Sequence, residues 1–444
     1  MRLPKIFVLF LFIVAIFSSS YSYSFDLSAF FSQAEKRDYH LKNLLHKKEA
    51  GKYRIYQAKS AYLPKVDFSS YFGREKYRYY SGYEVKKRLR YYYLSLKQPI
   101  IHPELLAKIK ESKLSNEVDK LYVSQQRYYA RYYALTTLIH YLVTSSRTKT
   151  LSRLVEVDKE RLEKAQQLLK LKVISEDEYL DIEEDYQDAS IAFQQAVDDL
   201  DTFSFMLKEL VGKFSLPTSL CITSGFVNAT KRILPSLVSL KSKLNNNFEV
   251  RIAQKNIEVA SAEYDYRKYD KLPKLDLFAS YSRSTSSGTA NVERDFKVAL
   301  SLEFPIFHGG YFSARQSEAE ELKMAAYDEW LSTRRKVHFQ FQQSFARFRQ
   351  SLQRFHSFRE RMLADKRLFN LYQKAYKDKS KSILDVLYRE SEFLKNKDYF
   401  LQSLDDLLTS YIELHYLSSE LNPDNLLLIK LLLPSYCHAD KASS

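Results

Sequence analysis

The sequence predicts a mainly α-helical, internally duplicated protein that contributes four strands to a membrane β-barrel. Three observations lead there. A strand-like segment occurs twice, a very long helical stretch follows each occurrence, and a chain that starts with an export signal has no later apolar run long enough for a membrane helix. Leu63-Pro64-Lys65 returns as Leu272-Pro273-Lys274, 209 residues further on. With only 8 Gly and 10 Pro in 444 residues, the chain has few breakers and must form long uninterrupted elements.

Residues 1–24 carry Arg2 and Lys5, the apolar run Ile6 to Phe17 and then small residues, with Ser22 and Ser24 placed for cleavage. This is the pattern of a secretory signal peptide, and twelve apolar residues are too few for a membrane anchor. No Cys follows the run, so the usual lipoprotein site is missing. Beyond it the nearest approach to a membrane helix, Leu426 to Pro434, is short and broken by Lys430. Cys221 and Cys437 would meet an oxidising compartment, where pairing is open to them.

After each Leu-Pro-Lys the residues alternate. Val66, Phe68 and Phe72 lie opposite Asp67, Ser69 and Tyr71, and Leu275, Leu277, Ala279 and Tyr281 lie opposite Asp276, Ser280 and Ser282, with Phe278 the exception. Period two with one apolar face predicts strands. A polar stretch follows each, 74–88 and 283–294, and reads as loop. Then come second alternating runs containing Tyr92, Leu94 and Leu96 in one copy and Val298, Leu300 and Leu302 in the other, closed by Pro99 and Pro305.

From Leu105 to Lys170, and again from Phe312 to Tyr376, apolar residues recur at three and four residue steps without Gly or Pro. Such a helix would reach roughly 100 Å, and the sustained spacing predicts coiled-coil packing. Short polar breaks around Lys172 and Lys379 precede returning helices that run to about Leu210 and Leu417. The domain reading is therefore a first repeat at 25–212, with a β-hairpin at 65–101 and a tip at 172–178, and a second at 248–421, with a hairpin at 274–307 and a tip at 376–388. A linker at 213–247 joins them, and 422–444 forms a tail.

The order of signal, LP plus alternating strand, strand ending QPI or FPIF, long helix and I-S-x-x-x-x-L tip, then a complete second copy, with "LEFPIFHGGYF" and "SILDVLYRESEFL" the most specific stretches, resembles the TolC-like outer-membrane efflux proteins over about Phe25 to Leu421. The resemblance implies a homotrimer in which four strands per chain build a 12-stranded barrel and the helical hairpins build an α-barrel tunnel. It also implies an equatorial position for the linker and tail, a periplasmic adaptor (membrane fusion) protein, and an inner-membrane transporter. The residues independently require partner strands, because four strands cannot close a barrel and open edges in lipid leave peptide groups unpaired.

On this reading Val66, Phe68, Leu94, Leu96, Leu275, Leu277, Leu300 and Leu302 face lipid, while Asp67, Ser69, Ser95, Asp276 and Ser301 face the lumen. Tyr79, Tyr80, Tyr83 and Tyr91 to Tyr93 suit an interfacial girdle. A soluble β-sandwich would also alternate, but has no place for such helices. The resemblance further implies a periplasmic gate at Glu178, Tyr376, Lys381 and Asp385, with Asp385 in an acidic ring; solvated turn charges are the competing reading. Adaptor docking is implied at Lys172, Val173, Ile174, Ser175, Lys379, Ser382 and Ile383. The chain departs from the family pattern where Lys172 and Lys379 replace the tip glycines and Tyr388 replaces a second ring acid.

Enzyme chemistry has no footing. There is no HExxH, GxSxG or phosphate loop, no cofactor is implied, and His308 beside Gly309-Gly310 reads as a turn residue. The net charge of +15 mixed with aromatics would suit nucleic acid. In an exported chain, however, Arg74, Lys76, Arg78, Lys86, Lys87 and Arg88 would meet lipopolysaccharide phosphates instead. The function expected is a passive trimeric exit duct for an efflux pump or type I secretion system, against the alternative of a non-conducting coiled-coil scaffold of the envelope.

Overall fold

A computed structural model describes residues 25–214, 216–217, 220, 222–286 and 292–433. The signal peptide, residues 434–444 of the tail, and Cys221 and Cys437 with their pairing lie outside these residues. The elements run α1 (Leu27–Arg37), α2 (Tyr39–Ser60), β1 (Lys65–Arg78), β2 (Glu84–Ile101), α3 (Pro103–Lys170) and α4 (Glu176–Val211). Next come α5 (Ser224–Arg232), α6 (Leu234–Ser239), a 3-10 turn (Leu240–Asn246) and α7 (Phe248–Tyr269). The second copy continues with β3 (Lys274–Ser286), β4 (Val292–Glu303), α8 (Tyr311–Lys377), α9 (Ile383–Leu417) and α10 (Leu427–Leu432). The chain divides into two compact units, neither of which is a repeat. One is His40–Gln126 with Phe248–Lys336, and the other is Met1–Tyr39, Arg127–Asn247 and Val337–Ser444.

The first unit holds one antiparallel sheet in the order β1-β2-β3-β4. Register sorts its side chains. Val66 pairs with Leu96 and Phe68 with Leu94; Leu96 pairs with Ala279 and Leu94 with Tyr281; these continue to Val298 and Phe296. Leu277 and Leu275 pair with Leu300 and Leu302, so all eight residues expected to share a face do share one. Beyond the Phe68–Leu94–Tyr281–Phe296 row, that face continues as Ser70–Tyr92–Arg283–Arg294, then Phe72–Arg90, Arg74–Arg88 and Lys76–Lys86. The opposite face mixes signs, with Asp67, Glu75, Glu293 and Asp295 among Lys65, Lys87, Lys97 and Lys297.

Five expectations change. The stretch 283–294 is not all loop, because β3 runs to Ser286 and β4 starts at Val292. The stretch 74–88 is strand apart from a tight turn closed by hydrogen bonds from Tyr79 N to Tyr83 O and from Gly82 N to Tyr79 O, both 2.9 Å. Aromatic residues have high strand propensity, and cross-strand partners hold the charged ones. Pro99 does not end β2: a bulge between Pro99 and Ile101 absorbs it, as bulges do for proline within sheets. Tyr91 and Tyr93 stack on each other across the face opposite Tyr92, so the three cannot form one girdle. Asp276 does not meet open water; it is 4% exposed.

The burial of Asp276 has a cause. His102, at the joint between β2 and α3, reaches Glu104 through Nδ1 at 2.8 Å and Asp276 through Nε2 at 3.0 Å. Lys97 Nζ lies 2.9 Å from the second Asp276 oxygen. Buried carboxylates are tolerable only when partnered in this way. The junction between sheet and helix thus rests on one histidine.

In the second unit α9 lies deepest. Leu404, Leu407, Leu408 and Ile412 of α9, Leu135, Leu138 and Ile139 of α3, and Phe348 and Phe355 of α8 are essentially inaccessible. The linker and tail pack here as well: Phe226 of α5 meets Phe355 edge to face at 5.8 Å, and Tyr411 donates to the Asn425 carbonyl at 3.0 Å.

Replacing His102 with Ala should leave buried Asp276 with Lys97 alone and buried Glu104 with only Lys274 at 3.8 Å, and cost about 3 kcal/mol. A thermal melt of the purified protein measures it; the loss is expected for His102→Ala and not for the exposed His46→Ala.

Candidate functional site

Each long helix ends in the same way. Lys172 N donates to Leu169 O and Val173 N to Leu168 O, while Lys379 N donates to Tyr376 O and Ser380 N to Ala375 O, all at 2.9 Å. These are paired Schellman turns, which need a left-handed residue. Lys172 (φ 56°) and Lys379 (φ 57°) supply it without the freedom of glycine. Ser175 then caps α4, its hydroxyl accepting from Glu178 N at 3.4 Å, and Glu176, Asp177 and Glu178 place negative charge in the first turn. Ser382 and Asp385 form a reciprocal capping box at α9, with Asp385 N to Ser382 Oγ at 3.1 Å and Ser382 N to Asp385 Oδ2 at 3.0 Å. The second tip is tighter than the expected 376–388, because α8 runs to Lys377 and α9 starts at Ile383.

The residues expected to gate lie apart in chemical terms. Among the described residues no hydrogen bond or ion pair joins Glu178 to Tyr376, Lys381 or Asp385. Lys381 instead sits over the Tyr372 ring at 5.1 Å, with Arg389 at 5.1 Å from the same ring. Although its partial burial works the other way, hydrogen bonds from Ser382 and the charges of Lys381 and Arg389 hold the Asp385 carboxyl below its usual range. Of the docking residues, Lys172, Val173, Ser175, Lys379 and Ser382 are exposed and Ile174 and Ile383 half-buried. Tyr388 lies between two guanidiniums, Arg161 at 5.1 Å and Arg389 at 5.2 Å.

Behind the tips runs a seam between the first-copy hairpin and α9. Leu151, Leu154 and Val157 of α3, Ala189 and Ala196 of α4, and Leu387 and Leu394 of α9 form one apolar cluster. Ion pairs flank it. Arg147 binds Asp398 through two nitrogens at 2.8 and 3.2 Å, Arg153 binds Glu390 at 3.0 Å, and Asp185 accepts from Arg161 at 2.6 Å and Lys395 at 2.5 Å. Burial raises the Asp185 carboxyl, but Lys395 and Arg161 outweigh it and hold the group below its usual range. Asp158 is fully inaccessible, and neither oxygen has a hydrogen-bond partner among the described residues. Burial pushes its carboxyl up, against the pull of Ser391, Lys395 and Arg161. The two sides of the seam can part only by breaking Asp185–Lys395. No sequence signal marks that pair, whose members are 210 residues apart.

The comparisons agree with this architecture. Residues 240–418 match the family described as outer membrane efflux protein. Among solved structures, a membrane protein from Pseudomonas aeruginosa superposes with TM-score 0.73 at 13% identity, covering 91% of this chain and 94% of that one. The CmeC outer membrane channel of Campylobacter jejuni gives 0.73 at 14% identity, covering 91% and 88%. The open state of the Neisseria gonorrhoeae MtrE outer membrane channel gives 0.67 at 14%, covering 90% of each. At these identities the likeness shows the fold alone, long paired helices with four antiparallel strands. No curated protein sequence matches the chain. Among the described residues, no helix is long and apolar enough to cross a membrane, and no group of His, Cys, Asp and Glu could hold a metal.

Two outcomes are expected. Lys379→Val should destabilise the second tip relative to Lys379→Gly by about 1 kcal/mol or more, read from thermal melts, because a β-branched residue resists the left-handed region. Asp158→Asn should raise the melting temperature at pH 7. A carboxyl whose folded pKa is raised penalises folding once ionised, so the gain should fade as pH falls through that raised value and vanish only below 3.8, where wild-type Asp158 is neutral in both states.

Proposed function

We propose that the chain is one protomer of a trimeric, passive exit duct in the bacterial outer membrane, and not an enzyme. One observation carries the reading: a sheet with an apolar face across all four strands ends in two edge strands, β1 and β4, and is borne by helices of 67 and 68 residues. Three such sheets joined edge to edge give twelve strands, closing a barrel in which every peptide group is hydrogen-bonded. Val66, Phe68, Leu94, Leu96, Leu275, Leu277, Leu300 and Leu302 then meet outer-membrane lipid.

The helices continue as a periplasmic tunnel. Its mouth is held by the seam pairs and by Glu178, Tyr376, Lys381 and Asp385 acting between neighbouring protomers. Lys172, Val173, Ile174, Ser175, Lys379, Ser382 and Ile383 dock a periplasmic adaptor, and an inner-membrane transporter supplies the energy. The relatives described as outer membrane channels support an efflux or type I secretion role.

Single-channel recording in planar bilayers tests the reading. Wild type should conduct weakly, and Asp185→Asn or Glu178→Ala should raise the open fraction by about tenfold, the effect of losing one charge-assisted contact. Folded trimers that insert but never conduct, in wild type and both variants, would leave the scaffold reading in place of the duct.

A further inference from the structure

One acid in the seam is buried without a partner. Asp158 of α3 is fully inaccessible, and neither carboxyl oxygen has a hydrogen-bond partner among the described residues. It stands next to Val157 and one turn from Leu154, both members of the apolar cluster where α3, α4 and α9 meet. Across the seam, Ser391 of α9 is 1% exposed and sits one turn before Leu394 of the same cluster. Its hydroxyl is close enough to act on the Asp158 carboxyl, yet it too lacks a hydrogen-bond partner among the described residues.

The cations that act on Asp158 are already engaged. Arg161 of α3 and Lys395 of α9 both bond to Asp185 of α4, at 2.6 and 2.5 Å. Two cations share one carboxylate while a second carboxylate lies buried beside them. An ionised carboxylate in apolar surroundings has lost its hydration and regains it only where water can enter. Water reaches Asp158 only when the helices that enclose it part. Protonated, the same group carries no such penalty and becomes a donor, with Ser391 Oγ as the acceptor across the seam.

We propose that Asp158 is a proton-operated latch: protonated, it lets α9 close on the first-copy hairpin, and ionised, it drives the two apart so that water reaches it. The inference rests on the reading of the tips as the mouth of an exit duct, and it adds how that mouth is regulated.

The direction of the effect follows from which state binds the proton more tightly. Burial pushes the Asp158 carboxyl up in the closed seam, whereas in an opened, hydrated seam it returns toward 3.8. Rising pH therefore favours opening, by up to about tenfold per pH unit between those two values, and the effect levels off above the higher one. Asp185 acts with the opposite sign and in another window. Burial raises it, but Lys395 and Arg161 hold it below 3.8, so its pairs are lost only as pH falls beneath that value. Lys395, held above its usual range by Asp185 against the effect of burial, keeps its charge throughout, and a guanidinium such as that of Arg161 does not titrate.

The test records single channels of the full-length protein in planar bilayers from about pH 4 to about pH 8, on either side of the window in which Asp158 changes charge. Wild type should open about tenfold more often at the alkaline end. Asp158→Asn, which fixes the uncharged state, should keep the low acid-side open fraction at every pH. Ser391→Ala, which removes the acceptor, should raise the open fraction at the acid end. Asp188→Asn, at an exposed acid of α4, should follow pH as wild type does. Amide hydrogen exchange over residues 154–161 and 387–395, corrected for intrinsic rates, reads the seam without conduction, and should quicken with pH in wild type but not in Asp158→Asn. A wild-type open fraction that ignores pH, or an Asp158→Asn profile that still follows it, overturns the latch and leaves the duct standing. Trimers that insert and never conduct overturn the duct, and the exchange measurement then decides the latch by itself: exchange at the seam that is equally pH-dependent in wild type and Asp158→Asn sinks it.

Discussion

A four-stranded sheet has two edges, and the peptide groups along them have no partner in their own chain. In hydrocarbon each unsatisfied group costs several kcal/mol, so such a sheet belongs in a membrane only when other copies complete it. The duplication follows from this deficit. Each copy supplies a hairpin and a helical pair, and register joins β2 to β3 so that the two copies present a continuous apolar face. The His102 junction lets that sheet hand its load to helices without leaving Glu104 or Asp276 unpartnered.

Much of this was legible in the sequence, because alternation and long helical periodicity are local properties. Val66, Phe68 and Leu94 declared their face through period two alone. The misjudged stretch, 74–88, looked like loop because it is polar. Charged residues fall on both of its faces, Glu75 and Lys87 on one and Arg74, Lys76, Lys86 and Arg88 on the other, so no apolar alternation marks a strand and pairing partners decide the case. Tyr91 to Tyr93 were grouped by composition, although adjacent strand residues point to opposite faces. Pro99 was read as a terminator, and only the pairing of β2 with β3 makes room for its bulge.

The tips were legible in position and not in chemistry. Capping residues Ser175, Ser382 and Asp385 announce helix starts by type and spacing, but nothing local reveals that Lys172 and Lys379 adopt a left-handed conformation. The seam was invisible for a different reason. Asp158, Asp185 and Lys395 come from three helices, and which faces of those helices meet depends on packing that no short window contains. An acid buried without a partner, beside one that is doubly paired, makes the seam strong at one level and costly at the next.

The polar face of the sheet has one more consequence. Its acids and bases are nearly equal in number and interleaved across the sheet, Asp67 and Glu75 with Lys65 and Lys87, Glu293 and Asp295 with Lys297. Opposite charges a few ångströms apart cancel beyond about a Debye length, so little average potential reaches past this face. In the proposed duct, a lumen lined by this face would present no electrostatic step to a solute of either sign, and sorting by charge would fall to the helical part of the path.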